Sequence, residues 1–305
     1  VLKAGAGLGA SLLGGCAVTQ SLSRSLSGRS LRFGMITDLH YADIAPRGSR
    51  HYRQSPGKLA ECLDLMNQEQ VDFLIELGDF KDQATPPDHD GTLAYLKTIE
   101  AQFQGFEGPT YHVLGNHDVD SISKQDFLSQ VTNTGIAPDA SYYAFDAQGL
   151  HCIVLDANFM ANGQAYDSGN FDWTKTYISP KQMAWLEQDL KRTRRKTLVF
   201  CHQCLDGNES HHVKNAAEVH QVLEDSKKVL AVFTGHNHAG HISLIRGIHY
   251  YTLKAAVEGS QATDNAYAIV EVQADNTIRV TGYRKAITTV ATPSALKWRQ
   301  VDSAG

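Results

Sequence analysis

Residues 109–118 read PTYHVLGNHD, in which an apolar run is followed at once by the cluster Gly115-Asn116-His117-Asp118. Apolar runs of this kind predict a buried β-strand, and the glycine allows the chain to turn sharply as it leaves the strand. The polar cluster therefore lies at the carboxyl end of the predicted strand. Asn, His and Asp side chains in such a position can bind a metal ion or take part in proton transfer.

Four further strand-like runs end in polar, metal-capable residues. The clusters that follow them are Asp38-Leu39-His40, Gly78-Asp79, His202 and Gly235-His236-Asn237-His238. Each cluster alone has an ordinary explanation, because an Asp after a strand often forms a turn and a single His often packs in a core. In an open α/β sheet, however, the carboxyl ends of the strands converge on one edge. The five clusters together therefore predict a single site.

Strand-like and helix-like patterns alternate along the chain. Strands are predicted over residues 31–38, 71–79, 109–118, 151–156, 197–201, 229–234 and 247–253. Helices are predicted near residues 91–103, 180–193 and 214–225, and also over about 56–69, with one apolar face formed by Leu59, Cys62, Leu63 and Met66.

The remaining segments complete the predicted fold. Residues 265–284 alternate apolar and polar side chains around an Asp-Asn turn, which is typical of a β-hairpin. Residues 120–150 and 157–178 are expected to be insertions that extend over the active face, which is the side of the fold that carries the predicted site. The fold class that follows is α/β, with two packed mixed β-sheets flanked by helices in four layers, α/β/β/α.

The first 30 residues differ in composition from the rest. Residues 1–18 are small and apolar, and Leu13-Gly14-Gly15-Cys16 resembles the cleavage box of a bacterial lipoprotein. The alternative interpretation of this stretch is a flexible Gly/Ala-rich leader. Residues 19–30 are Ser-rich, as in a linker. We expect an export-signal-like leader and linker over 1–30, a catalytic domain over 31–285 and a C-terminal tail over 286–305. The leader predicts a periplasmic protein, or one anchored to the bacterial cell envelope through lipid on Cys16.

Charge and cysteine content exclude some functions and leave others open. The net charge of -5 and the pI near 6.3 give no indication of a nucleic-acid surface. Cys201 and Cys204 form a Cys-x-x-Cys pair after a strand-like run, whereas a thioredoxin-type motif begins a helix. In an oxidising compartment, Cys62, Cys152, Cys201 and Cys204 would allow three disulfide pairings. The oligomeric state stays open.

In chain order the five clusters read D-x-H, G-D, G-N-H-D, H and G-H-x-H, and this set resembles the calcineurin-like metallophosphoesterases over about residues 32–285. The resemblance implies a dinuclear metal centre. It implies that one ion is bound by Asp38, His40 and His238 and that the other is bound by Asn116, His202 and His236. Asp79 is implied to bridge the two ions. It also implies that His117 faces the substrate without binding metal. Asp118, the next residue, is expected to orient the His117 imidazole.

The donors of this set are oxygen and imidazole nitrogen atoms, which suit two ions of Mn, Fe or Zn, with Mg also among the candidates. Two divalent ions bring four positive charges, whereas Asp38 and Asp79 return two negative ones, so the site is expected to attract phosphate. We predict a hydrolase that cleaves a phosphodiester or a nucleotide-type phosphoanhydride with a hydroxide bridging the metal ions. His117 would protonate the leaving oxygen or stabilise charge on the phosphoryl group.

Two stretches also resemble manganese-dependent ADP-ribose/CDP-alcohol diphosphatases within that family. They are FGMITDLHYAD (33–43), followed by RHYR (50–53), and GIHYYTL (247–253). That subgroup commonly has Gln at the position of His40, so the first stretch departs from its pattern. Tyr52 and Arg53 are candidate substrate contacts, because Arg binds phosphate with two parallel hydrogen bonds, and a solvated surface pair is the alternative.

Two other functions are compatible with the same clusters. A phosphomonoesterase of the alkaline-phosphatase kind would use the same dinuclear site, because specificity depends on the surrounding loops. A non-catalytic metal-binding module would keep the ligands without turnover, but such a protein has no need of a proton donor at His117. The expected partner is a small phosphorylated substrate, of which nucleotide-like molecules are one class.

Overall fold

The computed structural model describes residue 1, residues 30–292 and residues 299–300. The predicted leader from residue 2 onward, the linker up to residue 29 and the predicted lipid acceptor Cys16 lie outside the described residues. Within the described part, no helix combines the length and the apolar character needed to cross a membrane.

The described residues form thirteen β-strands and five α-helices. In chain order the strands are β1 (Leu31–Ile36), β2 (Phe73–Glu76), β3 (Thr110–His112), β4 (Tyr143–Ala147), β5 (Leu150–Val154), β6 (Thr197–Phe200), β7 (Val229–Thr234), β8 (His241–Ile245), β9 (Ile248–Thr252), β10 (Ala266–Val272), β11 (Ile278–Arg284), β12 (Thr289–Ala291) and β13 (Arg299–Gln300). The helices are α1 (Ser55–Glu69), α2 (His89–Phe103), α3 (Lys124–Gln130), α4 (Pro180–Arg192) and α5 (Ala216–Ser226). Each predicted strand and helix is present, although β2 and β3 are shorter than predicted.

The strands form two mixed sheets. The first has the order β13-β12-β11-β10-β1-β2-β3, in which β1, β2 and β3 are parallel and the other neighbours are antiparallel. The second has the order β4-β5-β6-β7-β9-β8, in which β5, β6, β7 and β9 are parallel and the two edge strands are antiparallel. The parallel strands of each sheet therefore end at one edge.

The two sheets pack face to face around an aromatic cluster. The Phe33 ring on β1 stacks on the Phe73 ring of β2, with ring centroids 4.9 Å apart. It also meets the Phe200 and Phe233 rings of the second sheet edge to face, at 5.6 and 5.5 Å. All four rings are buried. Because burial of apolar surface is the dominant favourable term in folding, this cluster sets how β1 and β2 lie against β6 and β7.

Helices cover the outer faces of both sheets. On the first sheet, the predicted apolar face of α1 is buried and packs with side chains of α2 and α3; this face is formed by Leu59, Cys62, Leu63 and Met66. On the second sheet, Leu186 of α4 and Leu223 of α5 pack on the outward side chains of the strands. These layers confirm the predicted α/β/β/α arrangement.

Two parts of the chain differ from the sequence-based expectation. Residues 120–150 contain α3 and also β4, which pairs antiparallel with β5 at the edge of the second sheet. The alternation of Tyr143 and Phe145 in β4 is too short to be distinguished from a loop by pattern alone. In addition, β12 pairs with β11, so the first sheet continues past residue 285 into the predicted C-terminal tail.

His151 of β5 is held between two acidic side chains. Its Nδ1 lies 2.7 Å from Oδ1 of Asp146 on β4, and its Nε2 lies 2.6 Å from Oδ2 of Asp189 on α4. Burial lowers the pKa of His151, but the two carboxylates outweigh this effect and raise it above the ordinary value. The ring therefore joins the edge strand and α4, most strongly when it is protonated.

Replacing His151 with Gln is expected to destabilise the fold more at about pH 6 than at about pH 9. A His whose folded pKa is raised stabilises the protein fully below its unfolded pKa, and this contribution is lost as pH rises through the folded pKa. Urea unfolding of both proteins at the two pH values measures the difference. Asp189→Asn should reduce the same pH dependence in part. Equal losses of stability at both pH values would contradict the argument.

Candidate metal centre and active site

The predicted ligands follow the carboxyl ends of five strands. Asp38 and His40 follow β1, Asp79 follows β2, Asn116 follows β3, His202 follows β6, and His236 and His238 follow β7. All of these side chains belong to buried residues except His238, which is half-buried. Because the strands come from both sheets, the site lies where the ends of the two sheets meet.

Asp38, His40 and His238 form one group. Oδ1 of Asp38 lies 3.7 Å from Nε2 of His40 and 3.4 Å from Nε2 of His238. The candidate ligand atoms of the three residues all lie within 4.8 Å of one another. The group therefore offers one carboxylate and two imidazoles to a single position.

Asp79, His202 and His236 form a second group. Nε2 of His202 lies 3.1 Å from Oδ2 of Asp79 and 3.2 Å from Nδ1 of His236. The same Asp79 oxygen lies 3.5 Å from Nε2 of His40, so this carboxylate stands between the two groups. The family resemblance also implies Asn116 for this second group, and the assignment of each side chain to an ion stays a prediction.

Several buried polar atoms in the site have no hydrogen-bond partner among the described residues. They include Asp38 Oδ1, His40 Nε2, Asn116 Oδ1 and His236 Nε2. Buried polar atoms without a partner are costly and rare in folded proteins. All four belong to predicted ligands, and divalent metal ions accept such oxygen and imidazole donors. The residues present therefore fit a dinuclear metal centre.

The ligand segments adopt an unusual backbone conformation. Asp38, His40, Asp79 and His236 have φ values of 50°, 45°, 56° and 65°, in the left-handed region. Non-glycine residues in this region cost on the order of 1–3 kcal/mol each and persist only where the surrounding structure holds them. Backbone hydrogen bonds hold the first two in place, since Asp38 N–H donates to the Gly78 carbonyl (3.0 Å) and His40 N–H donates to the Asp79 carbonyl (2.8 Å).

Three of the histidines are oriented by an oxygen at their Nδ1 atom. His40 Nδ1 lies 3.3 Å from Oδ2 of Asp82, and His238 Nδ1 lies 2.5 Å from Oε1 of Glu258. His202 Nδ1 lies 2.8 Å from the carbonyl oxygen of Leu77. In each case the contact leaves Nε2 for the site, as is usual for metal-binding histidines.

Asp82 and Glu258 are functional residues that the sequence analysis missed. Asp82 follows Asp79 by three residues, so a G-D-x-x-D spacing was a possible signal. Glu258 lies 20 residues from its partner His238, and no spacing in the chain indicates the contact. Such partners are determined by the tertiary structure.

His117 has the position expected of a proton donor. Its side chain is 27% exposed, and its Nδ1 lies 3.3 Å from Oδ2 of Asp120 and 3.5 Å from Oδ1 of Asp82. Burial lowers the pKa of His117, but the charges of Asp79, Asp120 and Asp82 outweigh burial and hold the pKa well above its usual range. Both acids lie at ion-pair distance on the Nδ1 side of the ring, so Nε2 is left to donate a proton to a substrate.

The expectation for Asp118 is wrong. Its carboxylate does not orient His117; it accepts backbone N–H groups from Gly115 (2.8 Å), Asp79 (3.0 Å) and Phe80 (2.9 Å). Asp118 therefore ties the segment after β3 to the segment after β2. Asp82 and Asp120 occupy the position that was expected of Asp118.

The predicted substrate contacts Tyr52 and Arg53 do not gain support. Tyr52 is 2% exposed and belongs to a small apolar cluster with Ile44 and Val257. Arg53 is exposed, and its Nε donates to Oδ1 of Asp43 at 2.5 Å. The first is a core residue and the second forms a surface ion pair, which is the alternative that the sequence left open.

An exposed tryptophan lies beside the second ligand group. Trp173 is 42% exposed, and its ring lies 5.5 Å from the His236 ring and 5.5 Å from the His211 ring. The His211 and His236 rings are 5.3 Å apart. Residues 157–178 were expected over the active face, and Trp173 has that position. No sequence pattern distinguishes Trp173 from the other two tryptophans of the chain.

The cysteines among the described residues are free. Cys62, Cys152, Cys201 and Cys204 are all buried and unpaired with one another. Burial raises the pKa of Cys204 to about 12 and also raises that of Cys201. Neither thiol is therefore activated for redox chemistry, and the disulfide pairings that the sequence left open are not formed.

The arrangement supports hydrolysis of a phosphate ester or anhydride. Two divalent ions held by the two groups would supply Lewis acidity and lower the pKa of water. Asp79 places the two groups side by side, and Asp82 and Glu258 orient His40 and His238. His117 holds a proton at the open side of the site and can deliver it to a leaving oxygen.

A four-layer α/β/β/α fold with two adjoining ligand groups at its strand ends defines a dinuclear metal-dependent phosphoesterase. The family model for calcineurin-like phosphoesterases matches residues 31–240, and the chain belongs to this family. It is a hydrolase that depends on divalent metal ions and cleaves phosphodiester or phosphoanhydride bonds.

Relatives with assigned functions are similar over most of the chain. A manganese-dependent ADP-ribose/CDP-alcohol diphosphatase of Oryza sativa subsp. japonica is 28% identical over 309 residues, covering 87% of this chain and 95% of that protein. A protein of the same name from Arabidopsis thaliana is 25% identical, with 82% and 93% covered. A probable cyclic nucleotide phosphodiesterase of Fibrobacter succinogenes is 26% identical, with 68% and 73% covered.

A solved structure shows the same fold. A dimetal phosphatase from Danio rerio superposes with a TM-score of 0.75 at 22% identity, and the match covers 87% of this chain and 99% of that one. The two-sheet architecture described above is therefore the fold of a known dimetal phosphatase.

Replacing Asp82 with Asn is expected to lower the affinity for divalent metal ions by roughly 10- to 100-fold. A neutral amide no longer stabilises the Nδ1–H group of His40, so the imidazole becomes a weaker and less well oriented ligand. Calorimetric titration of metal-stripped enzyme with Mn²⁺ measures the change.

Asp120→Asn is the matched control, because Asp120 contacts His117 and lies 3.3 Å from its Nδ1. This variant should keep its metal affinity and lose turnover through the proton donor. If both variants lost metal affinity equally, the assigned role of Asp82 would be wrong.

Proposed function

We propose that this enzyme hydrolyses the phosphoanhydride bond of nucleotide-type substrates, with ADP-ribose and CDP-alcohols as the leading candidates and Mn²⁺ as the working metal. Water would add to one phosphorus atom, and the bridging oxygen would leave with the other phosphate. The products would be a nucleoside monophosphate and a second phosphate monoester. The diphosphatases of Oryza sativa and Arabidopsis thaliana support this choice, because the match covers 95% and 93% of their lengths.

The observation in this chain that carries the proposal is the exposed ring of Trp173. An apolar ring exposed beside a metal site is suited to stack on a base while the phosphates occupy the ligand groups. Base–aromatic stacking is worth about 1–3 kcal/mol per base. A substrate with both a phosphate and a base would use both features at once.

The loop that carries Trp173 is held in shape by local hydrogen bonds. The backbone N–H and the hydroxyl of Thr174 donate to Oδ1 of Asp172 at 3.0 and 2.6 Å. The N–H of Lys175 donates to the Asp172 carbonyl at 2.9 Å. These bonds define a tight turn, which fixes the backbone at Trp173 without a substrate being present.

The central experiment compares substrates on metal-stripped enzyme resupplied with Mn²⁺. ADP-ribose, CDP-choline, cyclic AMP, bis-p-nitrophenyl phosphate and p-nitrophenyl phosphate would be tested at matched concentrations. The expected result is the highest kcat/KM for ADP-ribose or CDP-choline, with release of AMP or CMP.

Each other outcome replaces the proposal with a named alternative. A preference for cyclic AMP would favour a cyclic nucleotide phosphodiesterase, as in the Fibrobacter succinogenes relative. A preference for p-nitrophenyl phosphate would favour a phosphomonoesterase. No turnover of any substrate with Mn²⁺, Zn²⁺ or Fe²⁺ would contradict both the proposed substrates and the use of the site for catalysis.

Replacing Trp173 with Ala is expected to raise KM for ADP-ribose by roughly 5- to 100-fold, because a stacking contact is lost. kcat should change far less, since Trp173 does not touch the bonds that react. Trp173→Phe is the control, because it keeps an aromatic face and should retain most of the affinity. A loss confined to kcat, or an equal loss in both variants, would refute the stacking role. Steady-state kinetics under Mn²⁺ separate these cases.

We also propose export to the cell envelope, with Cys16 as the lipid acceptor. This proposal rests on the composition of residues 1–18 alone and is independent of the substrate.

A further inference from the structure

A further cluster of metal-capable side chains lies outside the dinuclear site. Its members are Cys204, Asp206, His212 and His241, and their candidate ligand atoms all lie within 4.8 Å of one another. None of the four is a predicted ligand of the dinuclear centre. The cluster also contains a thiol, which the dinuclear centre does not use.

The segment after β6 folds back on itself to build the cluster. The N–H of Cys204 donates to the carbonyl of His211 at 3.1 Å, and the N–H of Val213 donates to the carbonyl of Cys204 at 3.0 Å. Cys204 and His212 therefore lie side by side. A Cβ atom on Gly207 would lie 2.6 Å from Nε2 of His212, so a glycine at this position keeps the imidazole in its place.

Asp206 lies at the centre of the cluster. Its Oδ2 lies 2.7 Å from Nε2 of His241, the first residue of β8, and its Oδ1 lies 3.3 Å from Nε2 of His212. Both imidazoles thus present the same nitrogen to the centre. The Asp206 side chain is 3% exposed and Cys204 is fully buried, whereas the His241 side chain is 31% exposed, so the cluster opens to water only on the side of His241.

The thiol of Cys204 has only long contacts among the described residues. Its Sγ lies 3.7 Å from the carbonyl oxygen of Gly235 and 3.7 Å from the hydroxyl of Thr252. Burial favours the neutral thiol here, but a bound metal ion deprotonates a coordinating thiol outright. The sulfur is therefore free to act as a ligand.

We propose that Cys204, Asp206, His212 and His241 bind a zinc ion in a closed, structural site. One thiolate, one carboxylate and two imidazoles make up the four ligands that zinc takes in tetrahedral sites. The two negative charges of the donors equal the charge of the ion, so the complete site buries no net charge.

A network without metal explains less of the geometry. Asp206 accepts from the Ser243 hydroxyl at 2.5 Å and contacts both histidines, which satisfies the carboxylate. In such a network the thiol has only its long contacts to Gly235 and Thr252, although its sulfur lies within 4.8 Å of the candidate ligand atoms of the other three residues. The thiol is therefore the side chain that separates the two explanations.

The proposed zinc joins two segments that carry ligands of the dinuclear centre. Cys204 lies two residues after His202, and His241 lies three residues after His238. A zinc ion bound to both would hold these segments at a fixed separation. The site is structural, because all four positions are filled by the protein and none is left for a substrate. The inference does not depend on the identity of the substrate.

Cobalt provides a direct test, because a Co²⁺–thiolate bond gives a charge-transfer absorption in the near ultraviolet. The metal-stripped full chain would be titrated with Co²⁺ and followed by absorption spectroscopy. Wild type should develop this band, and Cys204→Ala should lose it. Zinc-loaded Cys204→Ala should also contain one zinc equivalent less than wild type by elemental analysis.

Two controls distinguish this site from the dinuclear centre. Cys152→Ala removes a buried free thiol elsewhere and should keep the band, whereas Asp79→Asn should bind fewer ions yet also keep the band. His241→Gln changes a partly exposed ligand and should weaken the band even if Cys204→Ala fails to fold, with folding checked by circular dichroism. Absence of the band in wild type, or its survival in both cluster variants, would overturn the proposal.

Discussion

The face-to-face packing of the two sheets is the constraint on which the site depends. Each phenylalanine of the aromatic cluster lies on a strand that is followed by a predicted ligand; the pairs are Phe33 and Asp38, Phe73 and Asp79, Phe200 and His202, and Phe233 and His236. Protein interiors are as closely packed as organic crystals, so the rings leave little freedom in how the strands are placed. The hydrophobic core therefore determines the distance between ligands that come from different sheets.

The same packing allows the site to hold a conformation that is unfavourable by itself. Left-handed backbone at Asp38, His40, Asp79 and His236 persists because the surrounding strands determine it. The negative charge around the site is also greater than that of the predicted ligands Asp38 and Asp79 alone. Asp82 and Glu258 add negative charge, but each contacts an imidazole, so they serve to orient ligands more than to oppose phosphate. Metal binding stabilises such a fold, because ions that bind only the folded state shift the equilibrium towards it.

The sequence was sufficient for the architecture and for the ligand clusters, because both depend on local patterns. Strand ends, helix faces such as that of α1, and polar residues directly after apolar runs are all readable from neighbouring positions. The parts that were missed depend on contacts between distant residues. The edge strand β4 is short and half-exposed, and Glu258 meets His238 only through the fold. Asp118 shows the opposite error, in which proximity in sequence was taken for contact. It is adjacent to His117 in the chain, but its carboxylate accepts hydrogen bonds from backbone N–H groups instead.

The segment between β6 and α5 links the parts of the molecule that bear on function. It begins with His202 of the dinuclear site and continues through the proposed zinc ligands Cys204 and Asp206. At its end, adjacent residues point in different directions: His212 contacts Asp206, whereas the ring of His211 packs against His236 beside the exposed tryptophan. A change in the proposed zinc cluster would therefore reach both a predicted metal ligand and the aromatic surface through a few backbone bonds. For this reason we expect the stability of the cluster and the affinity for substrate to be coupled.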